Sequence, residues 1–303
     1  MLTVAQTALE LGLVYSLTVL ALFLSYSMLN VCDLSTDGCF TLGAAVGAVV
    51  AVAGHPYLSI LAARAAGVCS GFVTAFLHTK MGINSLLAGI IVNTGLYSVN
   101  VAILGGSSLI NMNKTATVFT MLRSILKGTP MAAYTEIIVS GGAALLTILF
   151  LTFFLNTRLG LAIRATGDNP DMVSSSSINP AFTTIVGLCV ANAFTGLSGC
   201  LLGQMQKSMD VNVGQGVVTI ALASLLIGNT LLGRGPIALR AFGMVVGAFI
   251  FRLVYAIALR LDMPTFMLKL VSAVIVVLAL SIPYLKEQWP VVRRRLLASK
   301  GGR

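Results

Sequence analysis

The sequence predicts an all-α, polytopic integral membrane protein of about nine transmembrane helices, the second short and broken. Three observations carry that expectation. Of 303 residues, 57% are hydrophobic and 9% charged, against about 45–50% and 25% in soluble globular chains. Mean hydropathy is +0.97. The apolar residues fall in long continuous runs, whereas a β-barrel shows short alternating segments. Nineteen basic and nine acidic side chains cannot cover the surface of a water-soluble chain of this length. A soluble enzyme and a disordered chain are thereby excluded.

Nine segments approach the roughly 20 residues that a hydrocarbon core about 30 Å thick requires. They are 8–29, 38–53, 57–79, 83–104, 131–155, 181–203, 215–232, 236–259 and 265–285. The N-terminus lacks the basic start of a signal peptide, so the first run is expected to be a retained helix. The second run is rich in Gly and Ala and follows Asp33-Leu34-Ser35-Thr36-Asp37-Gly38. That polar stretch cannot face lipid, and irregular backbone survives at membrane depth only against protein or a water-filled cavity. Between the fourth and fifth runs, residues 117–125 have the pattern of a short amphipathic surface helix. The chain reads as one transmembrane domain, 1–303, with no soluble domain.

The net charge of +10 reads as membrane topology and not as nucleic-acid binding. Placing the 156–180 loop, the 233–240 turn, Lys80 and the basic tail 286–303 on one side collects eleven of the nineteen basic residues there. The positive-inside rule makes that side cytoplasmic, with 105–130 outside. The turn holding Asp33 and Asp37 then falls toward the cytoplasm. Five cysteines without a CxxC pair read as packing residues.

Several chemistries lack their residues. No lysine follows a glycine, so there is no GxxxxGK[ST] phosphate loop, and ATP hydrolysis is not expected of this chain. His55 and His78 open no HExxH, no GxSxG elbow occurs, and no metal site is expected. Two features remain. Asn169-Pro170-Asp171 has an N-cap, a proline for the first helical position and an acid for the helix dipole. It predicts a short extramembrane helix from Pro170 to about 178, preceded by Arg158 and Arg164. That is either an ordinary capped loop or a docking element for acidic groups. The second feature is the set of polar residues within apolar runs: Asp33, Asp37, Asn93, Asn100, Asn192, Gln204 and Asn229. Such residues mark solute pathways or join helices by hydrogen bonds. Helix capping is the structural alternative for Asp37.

The loop Thr157, Arg158, Gly160, Arg164, Ala165, Gly167, Asp168, Asn169, Pro170 resembles the cytoplasmic coupling region of bacterial ABC importer permeases of the branched-chain amino acid and ribose type. Residues 33–43 resemble that family's polar approach to its second helix. Residues 86–94, 220–228 and 268–270 resemble the branch associated with tryptophan and tyrosine importers. Two departures stand out. Asn229 occupies a position where an acidic residue is expected, and Ser174–Ser177 replace small and bulkier apolar residues.

The resemblance implies a type II importer permease in the bacterial plasma (inner) membrane, taking up a small solute such as an amino acid. Its implied partners are two ABC ATPase subunits, which carry ATP and Mg, an extracytoplasmic substrate-binding protein and a second permease subunit, by default identical. The coupling region is about 157–180. The competing reading is an ion-coupled secondary transporter, which often shows inverted repeats and midplane charges. The sequence shows no convincing repeat. An intramembrane enzyme would need a nucleophile and base at depth, and neither histidine is so placed.

Overall fold

The computed structural model describes residues 2–128, 130–260, 267, 270–277 and 281. Helix α1 (Leu2–Leu22) ends in a π-helical turn, Phe23–Met28. There follow α2 (Thr36–Val52), α3 (Pro56–Thr79), α4 (Ser85–Ile103), strand β1 (Leu109–Asn111) and α5 (Val118–Ile125). Next come α6 (Thr135–Leu155), α7 (Arg158–Asp168), α8 (Pro170–Ser175) and α9 (Pro180–Gln206). Strand β2 (Ser208–Asp210), α10 (Val217–Leu232) and α11 (Ile237–Arg260) complete the order.

Among the described residues, six helices are long and apolar enough to cross a membrane: α1 with its π turn, α3, α4, α6 with the turn before it, α9 and α11. Two shorter apolar helices, α2 and α10, accompany them. Of the expected span 265–285, residues 270–277 are helical and most of the rest lies outside the described residues. The basic tail 286–303 and the pair Leu268-Lys269 also lie outside them.

Helix directions follow from contacts. α1 and α9 are antiparallel: Ser198 Oγ donates to Val14 O at 2.7 Å, while Gly187 faces Leu29. α3 lies antiparallel along α9, with Gly67 against Asn192 and Gly71 against Leu188. α11 lies antiparallel along α1, with Gly12 against Phe249 and the Arg240 guanidinium 5.3 Å from the Phe23 ring centroid. The chain therefore contains two copies of one motif, a long helix, a short helix and a return helix. α1–α2–α3 and α9–α10–α11 run in opposite senses. The repetition is geometric; the two sets share no motif that the sequence reveals.

Close approach fixes these crossings. A Cβ on Gly43 would collide with Gly196 backbone, and one on Gly228 would meet Gly243. Small residues at such points let apolar helices pack backbone to backbone. The buried core is continuous from Val19–Leu24 of α1 through Leu188, Ala191 and Phe194 of α9 to Met244 and Ala248 of α11.

The two ends of the bundle differ. One carries the antiparallel ribbon β1–β2, in which Leu109 pairs with Asp210, and α5. Helix α5 is closed by a capping box between Thr117 and Thr120, and the helix expected at 117–125 forms there. The other end carries α7 and α8. Residues 156–169 were expected as a loop, but 158–168 are helical because Thr157 Oγ1 accepts from Gly160 N and starts the turn. α8 stops at Ser175, short of the expected 178, and Ser177 takes a left-handed conformation (φ 62°).

A re-entrant polar centre as candidate functional site

Both short helices begin inside the bundle. After Met28 the chain turns back for seven residues, 29–35, before α2 starts. Extended backbone reaches about 3.3 Å per residue, enough to return from the helix end to the middle of a bilayer core. Asp33 marks the depth. Its Oδ2 accepts from Asn192 Nδ2 at 2.7 Å, and Asn192 is the thirteenth of the 27 residues of α9. This corrects the expectation that the Asp33–Asp37 turn lies at the cytoplasmic mouth. The stretch is broken backbone sheltered from lipid, as expected, but the chain re-enters and Asp33 meets the middle of α9 instead of the bundle end.

Asp33 is 2% exposed. Its Oδ1 accepts from Ser35 N at 2.8 Å and from Ser35 Oγ at 2.6 Å, and Thr74 Oγ1 on α3 donates to Ser35 Oγ at 3.1 Å. This carboxylate is a staple between the re-entrant turn and α9. Asp37 faces the other way. Its Oδ1 accepts from Val218 N at 2.7 Å and its Oδ2 from Gly216 N at 3.0 Å. Asp37 lies in the first turn of α2, and Val218 in the first turn of α10. One carboxylate thus serves two helix N-termini, where partial positive charge favours an anion.

From that shared level the two helices diverge. Gly43 against Gly196 and Gly47 against Cys200 carry α2 toward the ribbon end, parallel to α9. Gly247 against Ser224 and Gly243 against Gly228 make α10 antiparallel to α11, so α10 runs toward the α7–α8 end.

The other expected pathway residues separate. Asn93 and Asn100 join Asp37 around a polar cavity of about 150 Å³, lined also by Gly38, Thr41, Thr94, Tyr97 and Gln215. Asn192 is held by Asp33 as above. Gln204 lies elsewhere: Nε2 donates to Ser59 Oγ at 2.6 Å and Oε1 accepts from Val118 N at 2.9 Å. It ties α9 to α3 and to the start of α5. Asn229 is exposed in the last turn of α10, remote from the cavity. Sequence reading missed the approach to α10 and its first residues, 215–218, as part of the site. Its signal was a glycine pair, Gly214 and Gly216, ahead of an apolar run. A Cβ on Gly214 would collide with Asp37 O and Thr41 Oγ1.

At the α7–α8 end, Asn169 Oδ1 accepts from Asp171 N at 3.1 Å and Met172 N at 3.0 Å, and Pro170 opens α8. Gly167 presses on the end of α1: a Cβ there would collide with Met28 O. Gly160 meets the end of α6 at Phe154 O, and Thr166 Oγ1 lies 2.8 Å from Thr183 Oγ1 of α9. Arg158, Asp168, Asn169 and Pro170 are exposed, and Arg164 is half-buried. Among the described residues the one ion pair is Arg123–Glu136, at the opposite end. Arg158, Arg164, Arg234 and Arg240 thus have no carboxylate partner among the described residues.

Six crossing-length apolar helices, two short apolar helices that start inside the bundle and a helix pair wedged against its end describe a multi-pass membrane protein. The chain matches the family described as branched-chain amino acid transport system, permease component, over residues 5–280. It belongs to that family, the permease components of ABC-type transport systems. It is 32% identical over 267 residues to a tyrosine transport system permease protein of Clostridioides difficile, covering 88% of this chain and 86% of that one. It is 25% identical over 260 residues to the ribose import permease protein of Escherichia coli K12, covering 84% and 78%. No solved structure matches.

Proposed function

We propose that this chain is the permease subunit of an ATP-driven importer in the bacterial plasma (inner) membrane, moving an amino acid inward. The likeness to a tyrosine permease favours an aromatic one. The partners are two ABC ATPase subunits that bind ATP and Mg, an extracytoplasmic binding protein and a second copy of this permease. The chain itself hydrolyses nothing and binds no nucleic acid.

One observation carries this reading: the route of contact from α7 to the polar centre. ATPase subunits docking on α8 and on Arg158 and Arg164 would displace α7. Gly167 of α7 bears directly on Met28 and Leu29, where the re-entrant segment begins, and that segment ends at Asp33 and Asp37. A rigid push at the α7–α8 end is thereby delivered to the level where the two half-helices part. The unpaired arginines suit an acidic partner surface.

The wall of the pathway is the exposed polar face near that level. Thr94, Tyr97 and Ser98 of α4 are exposed, as are Gln215 and Gly216 before α10. Lipid disfavours such a face, whereas a second permease copy enclosing water accommodates it.

The test is uptake into proteoliposomes holding permease, ATPase and binding protein. Uptake should require ATP, and Arg164→Glu should abolish transport-coupled ATP hydrolysis while leaving membrane insertion intact. Normal uptake by a well-inserted Arg164→Glu protein contradicts the docking assignment. The inverted repeat and the mid-depth acids also fit an ion-coupled carrier. That second reading predicts uptake without ATP that collapses when an ionophore removes the gradient.

A further inference from the structure

Asn100 carries a buried carbonyl oxygen with no partner. The residue is 1% exposed. Its Nδ2 donates to Gly38 O at 3.2 Å, and its Oδ1 has no hydrogen bond. The amide orientation follows from the chemistry, because a flipped amide would set Oδ1 against the Gly38 carbonyl. A buried acceptor left unmade is destabilising and calls for an occupant.

Asn100 lines the cavity of about 150 Å³ shared with Asp37 and Asn93. Asn93 Oδ1 lies beside Gly38, 2.7 Å from where a Cβ would stand. Each Asp37 oxygen takes one backbone N–H, which leaves further lone pairs available. Tyr97, 52% exposed, contributes an aromatic ring at the rim. Among the described residues no Lys, Arg or His lines the cavity. A water needs about 10–15 Å³ of such space, so a polar head group fits. The site is acceptor-rich, carries a carboxylate and lies at membrane depth. Its complement is a compact cation with several N–H donors, and an ammonium supplies three.

We propose that this cavity binds the primary ammonium group of an amino acid in transit, with Asn100 Oδ1, Asn93 Oδ1 and the Asp37 carboxylate as acceptors. The proposal rests on the importer reading above and names the group that the polar wall recognises. Asn100 is then a binding residue as well as a tie to Gly38.

The experiment uses the permease–ATPase complex in lipid nanodiscs without the binding protein, whose own selectivity would mask the site. Bound radiolabelled L-tyrosine is challenged with tyramine, which keeps the amine and lacks the carboxylate. It is also challenged with 3-(4-hydroxyphenyl)propanoate, which keeps the carboxylate and lacks the amine. Tyramine should displace the label, and the amine-free acid should fail at the same concentration. Exchanging choline for sodium or potassium at constant ionic strength should change nothing. Asn100→Leu should weaken tyramine binding at least tenfold, while Asn100→Asp should hold or tighten it. Both variants lose the Nδ2 bond to Gly38, so equal losses would mark Asn100 as purely structural. The analogue comparison on the unaltered protein needs no variant to fold. Displacement by the amine-free acid, or competition by sodium or potassium, overturns the proposal. ATP-driven uptake measured in parallel separates the two ideas. Uptake that persists beside a negative binding result leaves the importer standing. Normal tyramine binding without ATP-driven amino acid uptake leaves the site and removes the importer.

Discussion

The two re-entrant segments occupy matching places in the inverted halves of the bundle, yet they are held in different ways. Residues 29–35 bring their own acids. Asp33 fastens the turn to Asn192 of α9 and to Ser35. Residues 207–216 carry no carboxylate to mid-depth. Asp210 stays at the ribbon, where its Oδ1 accepts from Asn212 N at 2.6 Å. The glycines at 214 and 216 lead on to α10, whose N-cap Gly216 (φ 85°) offers no side-chain hydrogen bond. The second half borrows Asp37 from the first. One segment is thus a fixed strut, and the other is a helix start that depends on a neighbour. A transporter needs one frame and one part able to move against it. The start of α10 is therefore the segment whose anchorage on Asp37 is the easier to break, whereas the turn before α2 is tied to α9 by its own carboxylate.

The largest effect expected is at the strut. A hydrogen bond to a charged group is worth about 1.5–3 kcal/mol, and Asp33 accepts three. Asp33→Leu leaves Asn192 and Ser35 buried without an acceptor and should cost roughly 3–5 kcal/mol. The measurable outcome is loss of folded protein in the membrane fraction and a lowered thermal midpoint in detergent. A well-expressed Asp33→Leu permease would show that the strut is dispensable.

Next is the contact between the halves. Gly214→Ala places a methyl group against Asp37 O and Thr41 Oγ1, and overpacking of this kind typically costs about 1–3 kcal/mol. The expected result is a folded protein with reduced uptake, because the start of α10 is pushed off its anchor. The smallest stability effect is expected at Asp37→Asn, which keeps one oxygen acceptor and should cost about 1 kcal/mol or less of cap stability. Turnover should nonetheless fall more than expression. If Asp37→Asn transports normally and Asp37→Leu only lowers expression, Asp37 is a structural cap and nothing more.

Much of this was legible from residues alone, for definable reasons. Long apolar runs announce spans, because a bilayer imposes length. Asn169-Pro170 announces α8, because capping is local chemistry. The family resemblance, carried by 157–170 and 33–43, pointed to the permease class that the match over 5–280 shows. What stayed hidden depends on contacts distant in sequence. Nothing near Asp33 says that its partner is residue 192, or that Asp37 caps a helix starting 180 residues later. The inverted repeat is invisible because apolar helices need only the right small residues at each crossing: α3 crosses α9 at Gly67 and Gly71, whereas α11 crosses α1 at Gly12. Gln204 and Asn229 look like Asn93 and Asn100 in a hydropathy plot. Only the fold sets the first against the start of α5 and the second at an exposed helix end.

The proposed pathway requires that the polar face of α4 border water and not lipid. Its direct test is a single cysteine replacing Thr94 in a chain stripped of its five native cysteines. It is compared with one replacing Leu149, an exposed residue of α6 (57% exposed). The complex with ATPase and binding protein is treated with a membrane-impermeant, charged methanethiosulfonate while turning over ATP. On this pathway Thr94→Cys should be modified with loss of uptake, and Leu149→Cys should not be modified. Equal reaction at both positions, or reaction at Leu149→Cys alone, would contradict it.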